Sequence, residues 1–427
     1  MNLDFLTARP RPPSSDTWLS PAETTERLKG YVSTLTHAAL LLAKWSIVVP
    51  EIEIKILLAD HLHRDVVITR RLIERITSMG VKSQESVSDA GYPHDDLRRA
   101  AITDGSAAKL FVMYQFLKTR LREEMLEHAA HTHPVWDEPT LRLVSESAED
   151  LAQQINEVDR LYEALCAIFP AAFHGRLHDT AWNNFAPAPS EFDLTLPDLP
   201  ARDERFENCA ASVPVSEQMD SEEATLALMH ANLIGVEITT IEACSRLIIE
   251  FPEMPWEFVA DMARQCWDES RHAVSFYARF VELGGRLGQF PITHKLWKMA
   301  SGQPAVVRLG LHQCIGEWTG VDGALWHAER FLSKGDVVTS RLFAFVAVDE
   351  ITHVGFGNRW IKYLVGEGEG FVEAQQQARR RRAEFGESGD EPPAFPFNRW
   401  ACELSGFPQE MVDALETKFE QDGSRFH

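Results

Sequence analysis

The six cysteines of this chain (166, 209, 244, 266, 314 and 402) are scattered and form no Cys-x-x-Cys pair. That spacing suits neither a thiolate zinc site nor a disulfide framework, and it fits reduced thiols buried as small apolar residues in a cytoplasm. Positive charge is short as well: 42 Lys and Arg stand against 64 Asp and Glu, a net charge of −22. A nucleic-acid backbone or an anionic membrane surface is therefore not the expected partner. No apolar run approaches the roughly 18–20 residues that a membrane span requires. The opening stretch, MNLDFLTARPRPPSSD, has no signal peptide's apolar core. Flavin and nicotinamide fingerprints are missing, so any redox chemistry needs electrons from elsewhere or from the substrate. β-strand patterning is weak throughout, which leaves an all-α fold.

Helical periodicity is what the chain has in quantity. Residues 1–19 are Pro- and Ser-rich and read as a flexible N-terminus. Ser20-Pro21-Ala22-Glu23 reads as a capping box with Pro at the first helical position. From 20 to 169 four helices with short joints predict an N-terminal helical bundle. Residues 170–219 lose periodicity and are rich in Pro, Asn and Asp, as a linker or lid would be. Asp220-x-x-Glu223 reopens helix. Blocks at 221–250, 255–284, 303–332 and 336–365 then predict a second four-helix bundle over 220–366. A C-terminal extension, 367–427, carries a basic run from Arg379 to Arg382, read as a solvated helix face.

The second bundle contains a repeat. Asp268-Glu269-Ser270-Arg271-His272 recurs as Asp349-Glu350-Ile351-Thr352-His353, 81 positions later. Two lone glutamates, Glu237 and Glu317, stand 80 positions apart, each after a glycine or a Gly-Val pair. Glu-x-x-His alone is near chance expectation; the arrangement carries the weight. Residues at i and i+3 share one face of a helix. Each pair has a lone Glu in the preceding helix, equidistant from the predicted turn. Both antiparallel hairpins therefore bring a carboxylate level with a Glu-x-x-His pair. Stacking them gathers four carboxylates and two imidazoles, the ligand set of a dimetal carboxylate site. So many buried carboxylates repel one another without a cation. Oxygen and imidazole donors without thiolate suit iron or manganese. Asp268 and Asp349 are placed to accept hydrogen bonds from metal-bound imidazoles.

Glu242 is the second choice for the first-helix ligand, because Glu242 and Asp322 form another pair 80 apart. His230 and His312 precede the lone glutamates and read as core or rim histidines, or as a relay above the metals. Trp267, Trp318 and Trp326 read as core packing, pocket lining or an electron route. His128, His131 and His133 read as a solvated histidine face.

Asp268-Glu269-Ser270-Arg271-His272 resembles the Asp-Glu-x-Arg-His signature of the diiron oxygenases and ribonucleotide reductase small subunits, within the ferritin-like superfamily. FPEMPWEF, GEWTGVDGALWHAERF, DEITHVGFGNRWIKYL and PFNRWACELSGFP are similar to the DUF455 family, a ferritin-like group distantly similar to the diiron tRNA hydroxylases. The resemblance implies a non-haem diiron centre bound by Glu237, Glu269, His272, Glu317, Glu350 and His353, which would be the catalytic residues. HLHRDVVITRRLIERI (61–76) resembles the second helix of such proteins, with Val66 to Ile68 in place of the expected Glu and His. Asp60-x-x-His63, with Glu53, is the nearest surviving pair, so the N-terminal bundle is expected to be metal-free.

The expected function is a diiron oxidase or oxygenase. It would use two Fe ions, or Mn or mixed Mn/Fe, with O2 as co-substrate, to oxidise a small organic substrate by hydroxylation, N-oxygenation or desaturation. An external electron donor and a homodimer are the expected partners. The alternatives are a ferritin-like iron-storage or ferroxidase protein, a tRNA-modifying hydroxylase, against which the charge of −22 counts, and a metal-free scaffold.

Overall fold

The computed structural model describes residues 18–81, 94–180, 182, 187–206, 209–210, 221–386 and 395–423. The expectations for residues 1–17 and 211–220 lie outside them. Among the described residues the fold is all-helical, with no β-strand and a single isolated bridge between Cys209 and Ile292. The chain divides into two compact units, Met1–Leu196 and Pro197–His427.

In the N-terminal unit, α1 (Pro21–Val48) pairs with α2 (Ile52–Ser78) across a three-residue joint at Val49-Pro50-Glu51. A short α3 (Asp95–Ala101) precedes α4, which runs from Ser106–Leu110 through a π-helical segment, Phe111–Lys118, into Thr119–Ala130. α5 (Glu138–Ile168) packs against α4 and α2. The capping box starts α1 as the sequence predicts: Glu23 N donates to Ser20 Oγ (3.3 Å) and Ser20 N donates to Glu23 Oε2 (2.8 Å). Apolar residues spaced at three and four, such as Leu28, Val32, Leu35 and Leu42 of α1, supply the core. His128 departs from the expected solvated face. It is fully buried against Tyr31, and burial pushes its imidazole down to about 4. The cause is its position on the apolar stripe of α4, three residues after Met125.

In the C-terminal unit, α6 runs from Glu222–His230 through a π segment, Ala231–Ile238, into Thr239–Glu250. Its N-cap is Ser221, whose hydroxyl accepts from Ala224 N at 3.0 Å. α7 (Trp256–Glu282) folds back on α6. A short α8 (Lys295–Ala300) leads to α9, built from Ala305–Leu309, a third π segment, Gly310–Gly316, and Glu317–Ser333. α10 (Val337–Val365) folds back on α9, and its contact with α7 joins the two hairpins. The α9–α10 turn needs Gly335, whose φ of +80° costs an L side chain energy. Gly357 lets α10 approach α9, since a Cβ there would lie 2.6 Å from that of Gln313. α11 (Glu369–Glu384), α12 (Arg399–Leu404) and α13 (Gln409–Asp422) complete the unit. The basic run lies on α11 but is not a purely solvated face: Arg381 Nε donates to the Met299 carbonyl at 2.9 Å.

Among the described residues, α6 is the helix long and apolar enough to cross a membrane, with half of the qualifying window buried. The sequence hid this because Glu237 and Glu242 interrupt the run. Both are fully buried in the unit.

Candidate metal centre

Two features of local sequence aim the ligands. Glu269 and His272 lie three apart on α7, and Glu350 and His353 three apart on α10, so each pair shares a face. The lone glutamates sit at irregular backbone instead: Glu237 inside the second π segment and Glu317 directly after the third. A π segment inserts one residue into a helical turn and re-aims the side chains beyond it, and such insertions recur at functional sites. Thr239 marks one, its hydroxyl donating to the carbonyl of Ile234 five residues back (2.9 Å).

The six predicted ligands converge in two overlapping groups. Glu237, Glu269, His272 and Glu350 each offer a donor atom within 4.8 Å of the others, and so do Glu269, Glu317, Glu350 and His353. Glu269 and Glu350 belong to both groups. All six side chains are buried. His272 Nδ1 lies 3.2 Å from Glu269 Oε2, 3.4 Å from Glu237 Oε2 and 3.7 Å from Glu350 Oε1. His353 Nδ1 lies 2.9 Å from Glu350 Oε2 and 3.2 Å from Glu269 Oε1.

The aspartates before each glutamate hold the imidazoles from behind, and they do so crosswise. Asp349 of α10 accepts from His272 Nε2 (3.1 Å), and Asp268 of α7 accepts from His353 Nε2 (3.3 Å). With Nε2 bonded outward, each Nδ1 faces the centre, where a neutral ring would offer its lone pair to a cation. Arg271 ties the two aspartates together, reaching Asp268 and also Asp349 at 2.9 Å. Arg264 adds a bond to Asp268 at 2.8 Å. Trp267 is stacked by both guanidiniums, at 4.9 Å for Arg264 and 4.4 Å for Arg271.

Electrostatics show the same demand for a cation. Burial, reinforced by neighbouring carboxylates, drives the Glu237 and Glu317 carboxyls well above the ordinary range. Burial acts the same way on Glu269, but the facing imidazoles outweigh it and hold this carboxyl well below that range. Both imidazoles are raised well above theirs: burial opposes this, and the surrounding carboxylates prevail. Neither oxygen of Glu237 has a hydrogen-bond partner among the described residues, an expensive condition for a buried carboxylate. Once ionised, the four carboxylates would carry four negative charges, which two divalent cations would neutralise. The donor set is oxygen and imidazole nitrogen, so it fits hard or borderline ions such as iron and manganese.

Other sequence candidates fall elsewhere. Glu242, the second choice for the first ligand, is not in the cluster. It points to the far side of α6 and is clamped by Arg202, whose Nη2 donates to Oε2 at 2.9 Å. Asp322, its counterpart, accepts from Asn398 N (3.2 Å) and Nδ2 (2.8 Å). His230 is a core histidine among Phe206, Phe280 and Phe290, pushed down to about 4 by burial. His312 is buried beside Arg246 and Arg308 and is likewise pushed down to about 4. Trp318 packs on Phe397 and Phe407, and Trp326 on Phe395.

Two glutamines escaped the sequence reading. Gln265 Nε2 donates to Glu317 Oε1 (2.8 Å) and Glu269 Oε1 (3.3 Å), and Gln313 Nε2 donates to Gln265 Oε1 (3.3 Å). Gln265 stands four residues before Glu269, one turn along the same face; that spacing was the available signal. A groove of about 520 Å3 between α7 and α10 reaches the outer edge of His272 and Asp349.

No curated protein and no solved structure matches this chain. A family model described as a protein of unknown function (DUF455) matches residues 148–413. That span is more than half of the 427 residues and contains every member of the cluster, and the chain belongs to the DUF455 family.

Proposed function

We propose that the C-terminal unit is a ferritin-like four-helix bundle holding two metal ions, and that the protein is a non-haem diiron oxidase or oxygenase acting on a small organic substrate. The observation that carries this reading is the pair of four-donor groups sharing Glu269 and Glu350, with each imidazole fixed by the aspartate of the opposite hairpin. Glu237 and His272 would hold one ion, Glu317 and His353 the other, and Glu269 and Glu350 would lie between them. When bound, two iron ions supply Lewis acidity and electron transfer to O2, the chemistry needed for hydroxylation, N-oxygenation or desaturation.

The chain's own residues set the conditions. The two carboxylate–imidazole hydrogen bonds fix ring orientation and raise ligand basicity. Gln265 holds Glu317 and Glu269 in register with one donor group. Full burial of the donors keeps bulk water out. The Asp349 carboxylate is partly exposed at the groove and bonded to His272. It gives an external electron donor a short bonded route to the centre.

Elemental analysis of protein purified from iron- and manganese-supplemented cells, followed by stopped-flow absorption of the ferrous protein mixed with O2, tests this. Two ions per chain and an O2-dependent optical transient are expected, both abolished in Glu269→Ala/His353→Ala. Protein that binds neither metal, or a transient that survives the double substitution, would overturn it. Cage-sized particles that accumulate iron without oxidising a substrate would favour storage instead.

A further inference from the structure

The N-terminal unit repeats several contacts of the C-terminal one at positions that are not themselves among the six candidate ligands. Arg279 of α7 grips the head of α10, donating from Nε to Thr339 Oγ1 (2.8 Å) and from Nη2 to Asp336 Oδ2 (2.9 Å). Arg75 of α2 grips the head of α5 with the same two bonds, to Thr140 Oγ1 (2.8 Å) and Asp137 Oδ1 (2.6 Å). The arginines are 204 positions apart, and the threonines and aspartates 199 apart. The π segment of α4 begins at Phe111 and that of α9 at Gly310, again 199 apart. His61 bonds Tyr114 at 2.8 Å, while Gln265 and Gln313, at the same two offsets, bond each other at 3.3 Å. Three features therefore fix one register for α2 on α7 and one for α4 and α5 on α9 and α10.

Those registers say what occupies the ligand positions. At 204, Glu269 corresponds to Asp65 and His272 to Ile68. At 199, Glu317 corresponds to Lys118, Glu350 to Leu151 and His353 to Gln154. The ends of α1 and α6, Val48 and Glu250, are 202 apart, which sets Leu35 at the place of Glu237. The places of the first ion's own ligands, and of one bridge, are thus buried hydrocarbon: Leu35, Ile68 and Leu151. The second ion's place is polar and closed. Lys118 Nζ lies 2.7 Å and 2.9 Å from the two oxygens of Asp65, and Gln154 Nε2 donates to Asp65 Oδ1 at 3.2 Å. Lys118, Asp65 and Gln154 are all essentially inaccessible to solvent.

We propose that the N-terminal unit is a silenced second copy of the metal-binding unit, in which the ammonium of Lys118 supplies the positive charge that a metal ion supplies in the other copy. The inference uses the reading of the C-terminal cluster as a metal centre. An ammonium is compact, positive and a donor of three hydrogen bonds, so it satisfies a buried carboxylate much as a cation does. Among the described residues, Asp60, His61 and Glu157 form another donor group in this unit, and it is filled the same way. Arg64 Nη1 donates to Glu157 Oε2 at 2.7 Å and lies 3.5 Å from Asp60 Oδ2. The N-terminal unit then folds without metal, and metal stoichiometry is set by the C-terminal unit alone.

The full-length chain tests this in two ways. Lys118→Glu/Gln154→His recreates three donors, and equilibrium dialysis against Mn2+ should find one more ion per chain than in wild type. The same number of ions in a variant with wild-type helix content by circular dichroism overturns the proposal. Independently of metal, Lys118→Met strands the Asp65 carboxylate and should lower the folding equilibrium constant of the N-terminal unit about 10²- to 10³-fold in denaturant. Asp65→Leu/Lys118→Met should recover most of that loss; a double variant no better than the single one overturns the charge-replacement reading. Wild-type Mn2+ content reports on the C-terminal centre and the increment on this copy, so the two readings fail separately.

Discussion

Replacing Asp268 by Asn should weaken metal binding through the imidazole that it orients. The Asp268 carboxylate is fully buried and takes three donors: Arg264 Nε at 2.8 Å, Arg271 Nη2, and His353 Nε2 at 3.3 Å. An amide offers one acceptor and one donor group in the same space. If its NH2 takes the place of Oδ2, it meets His353 Nε2–H and Arg264 Nε–H together, donor against donor. The ring then relieves the clash by moving its proton to Nδ1 and loses the lone pair aimed at the centre. If the amide turns the other way, the clash falls on Arg271 Nη2 at the place of Oδ1. Loss of an outer carboxylate partner typically costs 10- to 100-fold in metal affinity, about 1.4–2.7 kcal/mol. Asp268 belongs at the upper end, because neither orientation is satisfied. Asp349 belongs at the lower end: its side chain is 21% exposed, and a rotated amide finds water. The assay is competition for Mn2+ between each variant and a fluorescent chelator at fixed pH. The reasoning is refuted if Asp268→Asn binds within threefold of wild type, or if Asp349→Asn proves the more damaging.

Arg202→Met should destabilise the C-terminal unit by about 3–5 kcal/mol by removing the guanidinium from buried Glu242. Arg202→Met/Glu242→Met should return near wild type in urea, and a double variant as unstable as the single one would contradict the pairing. Burial raises Asp322 to about 7, above its unfolded value, so its contribution to stability is full at low pH and is lost as pH rises toward 7. Asp322→Asn, which can still accept from Asn398, should flatten the stability profile between pH 4 and 7; an unchanged slope counts against this. Burial pushes His327 down to about 3 among Phe331, Phe343 and Phe395, so its contribution is present above pH 6.5 and is lost as pH falls toward 3. His327→Phe should shift the acid-unfolding midpoint of the C-terminal unit downward, read by circular dichroism, and an upward shift would show that the imidazole is needed.

The clustering of the six side chains was legible in the sequence because Glu-x-x-His is a local pattern and the hairpins place their members symmetrically about turns marked by Pro255 and Gly335. Helix α1 was legible to the residue, since a capping box needs only four positions. Whatever depends on which helix faces which was not. The sequence assigned Asp268 and Asp349 to imidazoles, but the crossing of partners comes from the packing of α7 on α10. Glu242 remained a rival to Glu237 because its counter-ion, Arg202, lies 40 residues away in an aperiodic stretch, where no spacing rule reaches. The N-terminal copy was hidden by its own substitutions. With the donors gone, the sequence pattern placed the lost pair at Val66 to Ile68, whereas the structural register puts the Glu position at Asp65.

The π segment of α6 gives that helix two bearings rather than one. Each residue of an α-helix turns the chain by about 100°, so one inserted residue sets the stripe after Ile238 off from the stripe before it by about that angle. Glu237 at the joint and Glu242 beyond it are both fully buried, yet one faces the donor cluster and the other faces Arg202. Five residues of α-helix turn the chain through about 500°, so Glu242 stands about 140° round α6 from Glu237. Both carboxylates lie beyond 231–236, so removing a single residue there would swing them together by about 100° relative to Glu222–His230.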